Sequence, residues 1–257
     1  MRNYLLPFIF LIILSSNIFA DPKVLRVTGH PDYPPVIWYS EKEDKLKGVA
    51  VELLQNIFKD SDIKLEFQHV ATWGRALEEV NQGRIDMLLP PYKTEERKIV
   101  YHFSDQPFME DRTVLFLKKG SKVDYKELVD LSKYQGTAII NDSFGDDFDK
   151  ASKKLLKVQR LSKTEQCLRF LLRGRADYLV AGYSAGISVA KAMGVDNQIE
   201  VHKMPIIRTG MYIALSKRSK HASPEIMKLI DIKLVEYQKS GFIKELEKKY
   251  YEIYQRE

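Results

Sequence analysis

The chain reads as an α/β protein of two lobes, each a mostly parallel sheet flanked by helices. Three observations predict this class. Short β-branched runs alternate with helical apolar stripes in the order strand, helix, strand, the pattern of parallel strands joined by crossover helices. The same order returns in the second half, where Gly174-Arg175-Ala176-Asp177 repeats the Gly83-Arg84-Ile85-Asp86 of the first half, each ending a helix and feeding a short apolar strand. With 257 residues, 44% hydrophobic and 30% charged, the chain has room for two lobes of ordinary size, each with a core.

The beginning of the chain differs from the rest. Met1-Arg2-Asn3 precede an apolar run over residues 4–14, and small residues up to Ala20 follow before Asp21-Pro22. This basic, apolar, small order is that of a secretory signal, residues 1–20, with cleavage after Ala20. The run is shorter than the roughly 20 residues of a membrane span; an uncleaved anchor is the alternative. No cysteine closes the run, so lipid attachment is not expected. Cys167 is the single cysteine, which excludes an intramolecular disulfide, and its place beside Leu168, Phe170, Leu171 and Leu172 gives it a packing role. The formal charge of +6 becomes +5 without residues 1–20. The lysines are scattered beside Glu and Asp along helices, so they read as solvated faces and not as a nucleic-acid footprint. Net positive charge suits an anionic ligand or surface.

Residues 24–28 alternate as the first strand and end on the rigid loop Gly29-His30-Pro31-Asp32-Tyr33-Pro34-Pro35. Tyr33 either roofs a bound solute or packs on the prolines. Residues 45–48 form a turn, Val49, Leu53, Leu54, Ile57 and Phe58 a helical stripe, and residues 63–67 the second strand. Ala71-Thr72-Trp73-Gly74 opens a helix that stops at Gln82-Gly83. If the strand-to-helix turns cluster, Trp73 faces the same crevice as Tyr33 and Arg97. The apolar run 85–89 is stopped by Pro90-Pro91, and Thr94 caps a short helical turn carrying Glu95, Glu96, Arg97 and Lys98. A guanidinium there lies beyond the carboxyl end of a strand, where open α/β sheets bind ligands, and its fork suits a carboxylate. The alternative is a solvated helix charge.

Residues 99–103 and 113–117 read as strands with 104–112 irregular between them, and the first crossing between lobes falls around 109–114. In the second lobe a short helix spans 125–131 and a strand 137–140. Asn141-Asp142-Ser143-Phe144-Gly145 then opens a helix to about residue 156. The Ser143 hydroxyl and the local amides make either an anion site or a simple helix cap. A strand at 158–161, a helix at 164–172, a strand at 176–180 and a helix from Gly182-Tyr183-Ser184 to about Gly194 follow. Residues 200–205 are extended and return the chain to the first lobe, 210–215 form one strand, Ser223-Pro224 begins a helix, and Gly241-Phe242 begins the last. The lobes are therefore 21–110 with 205–257, and 111–204.

The ordered set Tyr33-Pro34-Pro35, Gly48, Trp73, Gly83-Arg84-Ile85-Asp86, Thr94-Glu95-Glu96-Arg97-Lys98, Phe103-Ser104-Asp105-Gln106-Pro107-Phe108, Gly174-Arg175-Ala176-Asp177 and Gly241-Phe242 resembles the extracellular solute-binding proteins, family 3, of polar amino-acid transporters. These are type II periplasmic binding proteins, and the resemblance runs from Leu25 to Tyr251. It implies two α/β lobes joined by two hinge crossings, a periplasmic location, and a small ligand enclosed between the lobes. It implies that Arg97 pairs with a ligand carboxylate, that Asp142, Ser143 and Phe144 meet the same group, and that Tyr33 covers the ligand. Trp73, Tyr92, Thr94 and Tyr183 complete the expected walls. Tyr92 stands two before Thr94, where the family usually has a small hydroxyl residue. The acid that commonly takes the ligand ammonium falls at Ala181-Gly182, which carry no charge. A flat or uncharged group is expected there, and a carboxylate without a free amine is one such ligand.

The function expected is capture of a small carboxylate-bearing solute by a monomer working with a membrane permease or sensor. Dehydratase chemistry on the same scaffold is the enzymatic alternative, with His30, Glu110 and Asp142 as its acid–base candidates. No P-loop, GxGxxG, CxxC or HExxH pattern occurs, so no nucleotide, metal or other cofactor is expected.

Overall fold

The computed structural model describes residues 23–257, so the secretory-signal reading of residues 1–20 lies outside the described residues. The first lobe holds β1 (Lys23–Gly29), β2 (Asp32–Tyr33), β3 (Ile37–Ser40), β4 (Lys45–Lys47), α1 (Val49–Phe58), β5 (Ile63–Phe67), α2 (Trp73–Asn81), β6 (Met87–Leu89), α3 (Glu95–Val100) and β7 (Tyr101–Phe103). The second holds β9 (Gln135–Ile139), α4 (Asp146–Lys154), β10 (Lys157–Leu161), α5 (Thr164–Leu172), β11 (Tyr178–Gly182), α6 (Tyr183–Ala192) and β12 (Ile199–Val201). β8 (Met109–Lys118) and β13 (Ile207–Met211) link them, and β14 (Ala214–Ser216), α7 (Pro224–Ser240) and α8 (Phe242–Gln255) return to the first.

The first sheet runs β5-β1-β6-β14-β7, with β1 parallel to β5 and β6 and with β14 antiparallel to its neighbours. The second runs β10-β9-β11-β8-β12, with β9 parallel to β10 and β11. β2, β3 and β4 form a small antiparallel sheet beside the first. The apolar stripe of α1 is buried against β1, α7 and α8, and Gly48 lets the chain turn into it. Gly48 has φ 129°, and a Cβ there would sit 2.4 Å from the Val36 carbonyl oxygen.

The repeated Gly-Arg-x-Asp motif has one structural role in both lobes. The Asp86 amide donates to Arg26 O at 3.0 Å while Asp86 Oδ2 accepts from Arg26 N at 2.9 Å. Asp177 does the same to Gln135, at 2.7 Å in each direction. Each aspartate thus holds the neighbouring parallel strand with its backbone and its side chain, fixing register where the strand begins.

Several expected boundaries change. Residues 45–47 form β4 on β3 instead of a plain turn. Ile99 and Val100 belong to α3, whose ladder extends past them to Tyr101 N, bonded to Arg97 O. Residues 125–131 give only a 3-10 turn, Leu128–Lys133. Residues 109–112 are not irregular: Met109 to Thr113 pair antiparallel with Met211 to Ile207. The single strand expected at 210–215 is two. Met211 faces Met109 on the crossing ribbon, whereas Ala214 faces Leu88 and Phe103 in the first sheet. Both halves are apolar and mostly buried, so composition carries no trace of the change of partner.

Candidate functional site

The turns at the carboxyl ends of β1, β6 and β9 and the start of α2 converge between the lobes, as the strand polarity requires. His30 follows β1 and is tied to β6 by its amide, which donates to Leu89 O at 2.9 Å. Its Nδ1 accepts from Asp32 N at 3.0 Å, so Nε2 carries the proton and donates to Asp142 Oδ1, 3.1 Å away in the other lobe. The imidazole lies 5.0 Å from the Trp73 ring and 5.5 Å from the Tyr33 ring. His30, Tyr33, Trp73, Pro90, Tyr92, Asp142, Ser143 and Phe144 line a small pocket of about 20 Å³.

A wider cleft of about 910 Å³ opens beside it and shares Asp142 and Ser143. Thr94 and Arg97 border it from the first lobe and Asp149 and Arg160 from the second. Thr94 Oγ1 caps α3 by accepting from Arg97 N at 3.3 Å. This fixes the root of the Arg97 side chain, whose Nη1 donates to Tyr92 O at 3.2 Å and whose guanidinium lies 5.8 Å from the Trp73 ring centroid. Arg97 is half-buried, and no carboxylate of the described residues pairs with it. Burial pulls its pKa below the usual arginine value while Asp142 pushes it back up. It stays a cation at any physiological pH.

The second-lobe turn differs from expectation. Ser143 is not the cap of α4; that position is Gly145. The Ser143 hydroxyl bonds Asp149 Oδ2, and the Phe144 amide donates to Asp149 Oδ1 at 3.0 Å. Asp146, Asp147 and Asp149 all stand in the first turn of α4 and already answer its N-terminal dipole. The turn is held from behind by Arg160, whose Nη1 donates to Ile139 O at 2.9 Å and Asp142 O at 3.0 Å. Tyr183 borders neither cavity: its ring carries the Arg112 guanidinium at 4.1 Å. Glu110 is exposed on β8, away from both. Tyr33, Trp73, Tyr92, Asp142, Ser143 and Phe144 are therefore brought together at the small pocket, and Thr94 and Arg97 at the adjoining cleft.

Sequence reasoning passed over Asp111. It is 6% exposed, and it accepts from Tyr33 Oη at 3.1 Å and from Arg112 N at 2.7 Å. Burial pushes its pKa up to about 6, against the pull of these donors. Its signal was alternation: Met109, Asp111 and Thr113 point inward while Glu110 is exposed and Arg112 half-exposed.

A sequence profile of the bacterial extracellular solute-binding proteins, family 3, matches residues 25–253. A probable amino-acid-binding protein of Bacillus subtilis (strain 168), YxeM, is 26% identical over 242 residues, 92% of this chain and 87% of that one. The L-cystine-binding protein TcyA of the same organism is 22% identical over 228 residues, 89% of this chain and 81% of that one. The substrate-binding protein AbpA of an amino-acid ABC transporter of Streptococcus pneumoniae, solved with L-arginine, superposes with a TM-score of 0.75. It is 19% identical and covers 90% of this chain and 95% of its own, a likeness of fold.

Proposed function

The chain belongs to the bacterial extracellular solute-binding proteins, family 3, and on that premise we propose that it captures a small carboxylate-bearing solute, an amino acid or a related organic acid, between its lobes in the periplasm. One observation carries this reading: Arg97 is a half-buried guanidinium without a carboxylate partner among the described residues, oriented by the Thr94 cap and the Trp73 ring toward the cleft. A desolvated guanidinium in that state favours a bidentate anion. Tyr33, Trp73 and Tyr92 would form the aromatic walls, with Asp142, Ser143 and Phe144 facing them from the second lobe. Because Asp149 engages the Ser143 hydroxyl and the Phe144 amide, Arg97 is the principal anchor.

The small pocket has room for little more than a water molecule, so a ligand that fills it requires the lobes to part and the contacts across them to break. The lobe division we propose is 21–110 with 205–257, and 111–204, with bending at the ribbon of β8 and β13. A probable amino-acid-binding relative and an L-cystine-binding one support an amino-acid class of ligand, and a membrane permease or a sensor is the partner such a receptor would serve. The His30–Asp142 pair beside the pocket supports a second reading, acid–base chemistry on a cyclic acid. Appearance of aromatic-product absorbance above the enzyme-free rate on incubation with prephenate or arogenate would establish it.

A thermal-shift screen of amino acids and organic acids tests the principal reading, since a ligand of the native state raises the melting temperature. Stabilisation by one or more carboxylates is expected. A flat screen across both classes contradicts it.

A further inference from the structure

A line of hydroxyls leads out of the small pocket and ends on a buried carboxylate. Tyr92 Oη and Tyr33 Oη lie 2.8 Å apart, and Tyr33 Oη lies 3.1 Å from Asp111 Oδ2. An ionised carboxylate only accepts, so the single Tyr33 proton goes to Asp111, and the Tyr33 oxygen accepts from Tyr92. Asp111 Oδ1 takes the Arg112 amide at 2.7 Å and the amide and hydroxyl of Ser184 at 3.4 and 3.3 Å. No cation of the described residues pairs with it; the neighbouring Arg112 guanidinium lies instead on the Tyr183 ring. The other carboxylate at the pocket, Asp142, is already engaged by His30.

The end of β11 is shaped around this group. A Cβ at Gly182 would lie 1.9 Å from Tyr33 Oη and 2.7 Å from Asp111 Oδ2. The volume that a side chain from β11 would fill is taken by the Tyr33 phenol from β2 and by the Asp111 carboxylate from the crossing strand β8. The uncharged pair Ala181-Gly182 therefore does not leave this part of the site neutral. Opposite the guanidinium on α3 the site therefore holds two carboxylates without a cation partner among the described residues, Asp142 in a hydrogen bond from the neutral His30 and Asp111 behind Tyr33, and Asp111 is the one held by hydroxyls and amides alone.

We infer that Asp111 is the counter-ion of the site, acting through Tyr33 and Tyr92, and that the ligand carries a protonated amine at the tyrosine end as well as a carboxylate at Arg97. This rests on the reading of Arg97 as a carboxylate anchor. A carboxylate buried without a cation is costly, and an ammonium brought to the hydroxyl chain offsets that cost. A carboxylate without an amine leaves Asp111 uncompensated. Asp111 thereby selects the ligand as a positioning residue, by polarising the hydroxyls that face it.

The test pairs each of the twenty L-amino acids and L-cystine with the carboxylic acid of the same skeleton lacking the α-amine, measured by thermal shift and titration on the wild type, Asp111→Asn and Asp111→Glu. The best amino acid is expected to bind the wild type at least about tenfold tighter than its des-amino partner, the scale of one charged hydrogen bond. Asp111→Asn should remove that preference by weakening only the amino acid, and Asp111→Glu should restore part of it. Loss of fold in Asp111→Asn would show in its ligand-free melting curve, and Tyr33→Phe then breaks the same link and should erase the same preference. A preference that survives the loss of Asp111 or of the Tyr33 hydroxyl overturns the inference while amino-acid binding stands. Tighter binding of the des-amino acids overturns the amine and leaves the Arg97 reading intact. Silence from both sets overturns the capture of carboxylates, and the inference with it.

Discussion

Asp32 caps a helix of the opposite lobe: the Thr164 amide, at the start of α5, donates to Asp32 Oδ2 at 2.6 Å. The residue before it, Lys163, supplies no side-chain cap of its own, so this orphan N–H finds an acceptor across the cleft. His30, two residues earlier, reaches Asp142, and Tyr33, one residue later, reaches Asp111. The loop of residues 30–33 thus reaches the second lobe at Asp142 and Thr164 and the crossing strand β8 at Asp111, and under the opening proposed above it is the latch that must release.

Asp32→Ala should loosen that latch. Loss of a helix cap costs about 1 kcal/mol, which moves an open–closed equilibrium about fivefold toward open. The radius of gyration of the ligand-free protein from small-angle scattering should rise, and ligand affinity should fall by at most that factor. Unchanged scattering and affinity would deny the loop its role.

Asp111 predicts a pH dependence of stability. Its folded pKa is raised by burial to about 6 from the ordinary 3.8. Between those values the native state holds a proton that the unfolded chain has released, so this group makes stability fall as pH rises through the window. The shift is about two units, or ~3 kcal/mol at most. The groups facing Asp111 are the Tyr33 hydroxyl, the Arg112 amide and Ser184; Tyr33 and Tyr92 both have raised pKa values, chiefly through burial, and stay protonated throughout. Ligand-free Asp111→Asn should match the wild type near pH 4 and exceed it in stability at pH 7. Parallel melting curves across that range would contradict the assignment. Carboxylates whose pKa is lowered, such as Glu79 beside Arg84, contribute in the opposite sense, and the difference between the two proteins cancels them.

Thr94→Val removes the hydroxyl that accepts from Arg97 N. Stability should drop by about 1 kcal/mol, and affinity should fall as the Arg97 side chain loses its fixed root, whereas Thr94→Ser should retain both. Calorimetric melting and titration check the two effects separately, and equal behaviour of Val and Ser would contradict the role.

Much of this fold was legible because its local signals agree. The βαβ order, the Thr94 cap and the buried stripe of α1 all follow from residue type and spacing, and the structure repeats them. What the sequence hid depends on pairing across distance. The run at 210–215 changes sheets in its middle without a change of composition, and charged residues at 110–112 mask a strand whose partner lies about a hundred residues downstream. The site divides in the same way. Arg97 and the aromatic walls stand next to punctuating prolines and caps, so local reasoning reached them. Asp111 fills the space at Gly182 from a neighbouring strand, and Ser143 is held by Asp149 from the helix that follows it, relations that only the folded chain displays.

The most direct test of the anchor is isothermal titration of the strongest ligand from the screen into the wild type and into Arg97→Ala and Arg97→Lys. A single guanidinium holding the ligand carboxylate predicts a loss of about a hundredfold or more in Arg97→Ala and an intermediate loss in Arg97→Lys, whose point charge lacks the planar fork. Binding of unchanged affinity in Arg97→Ala would contradict the account.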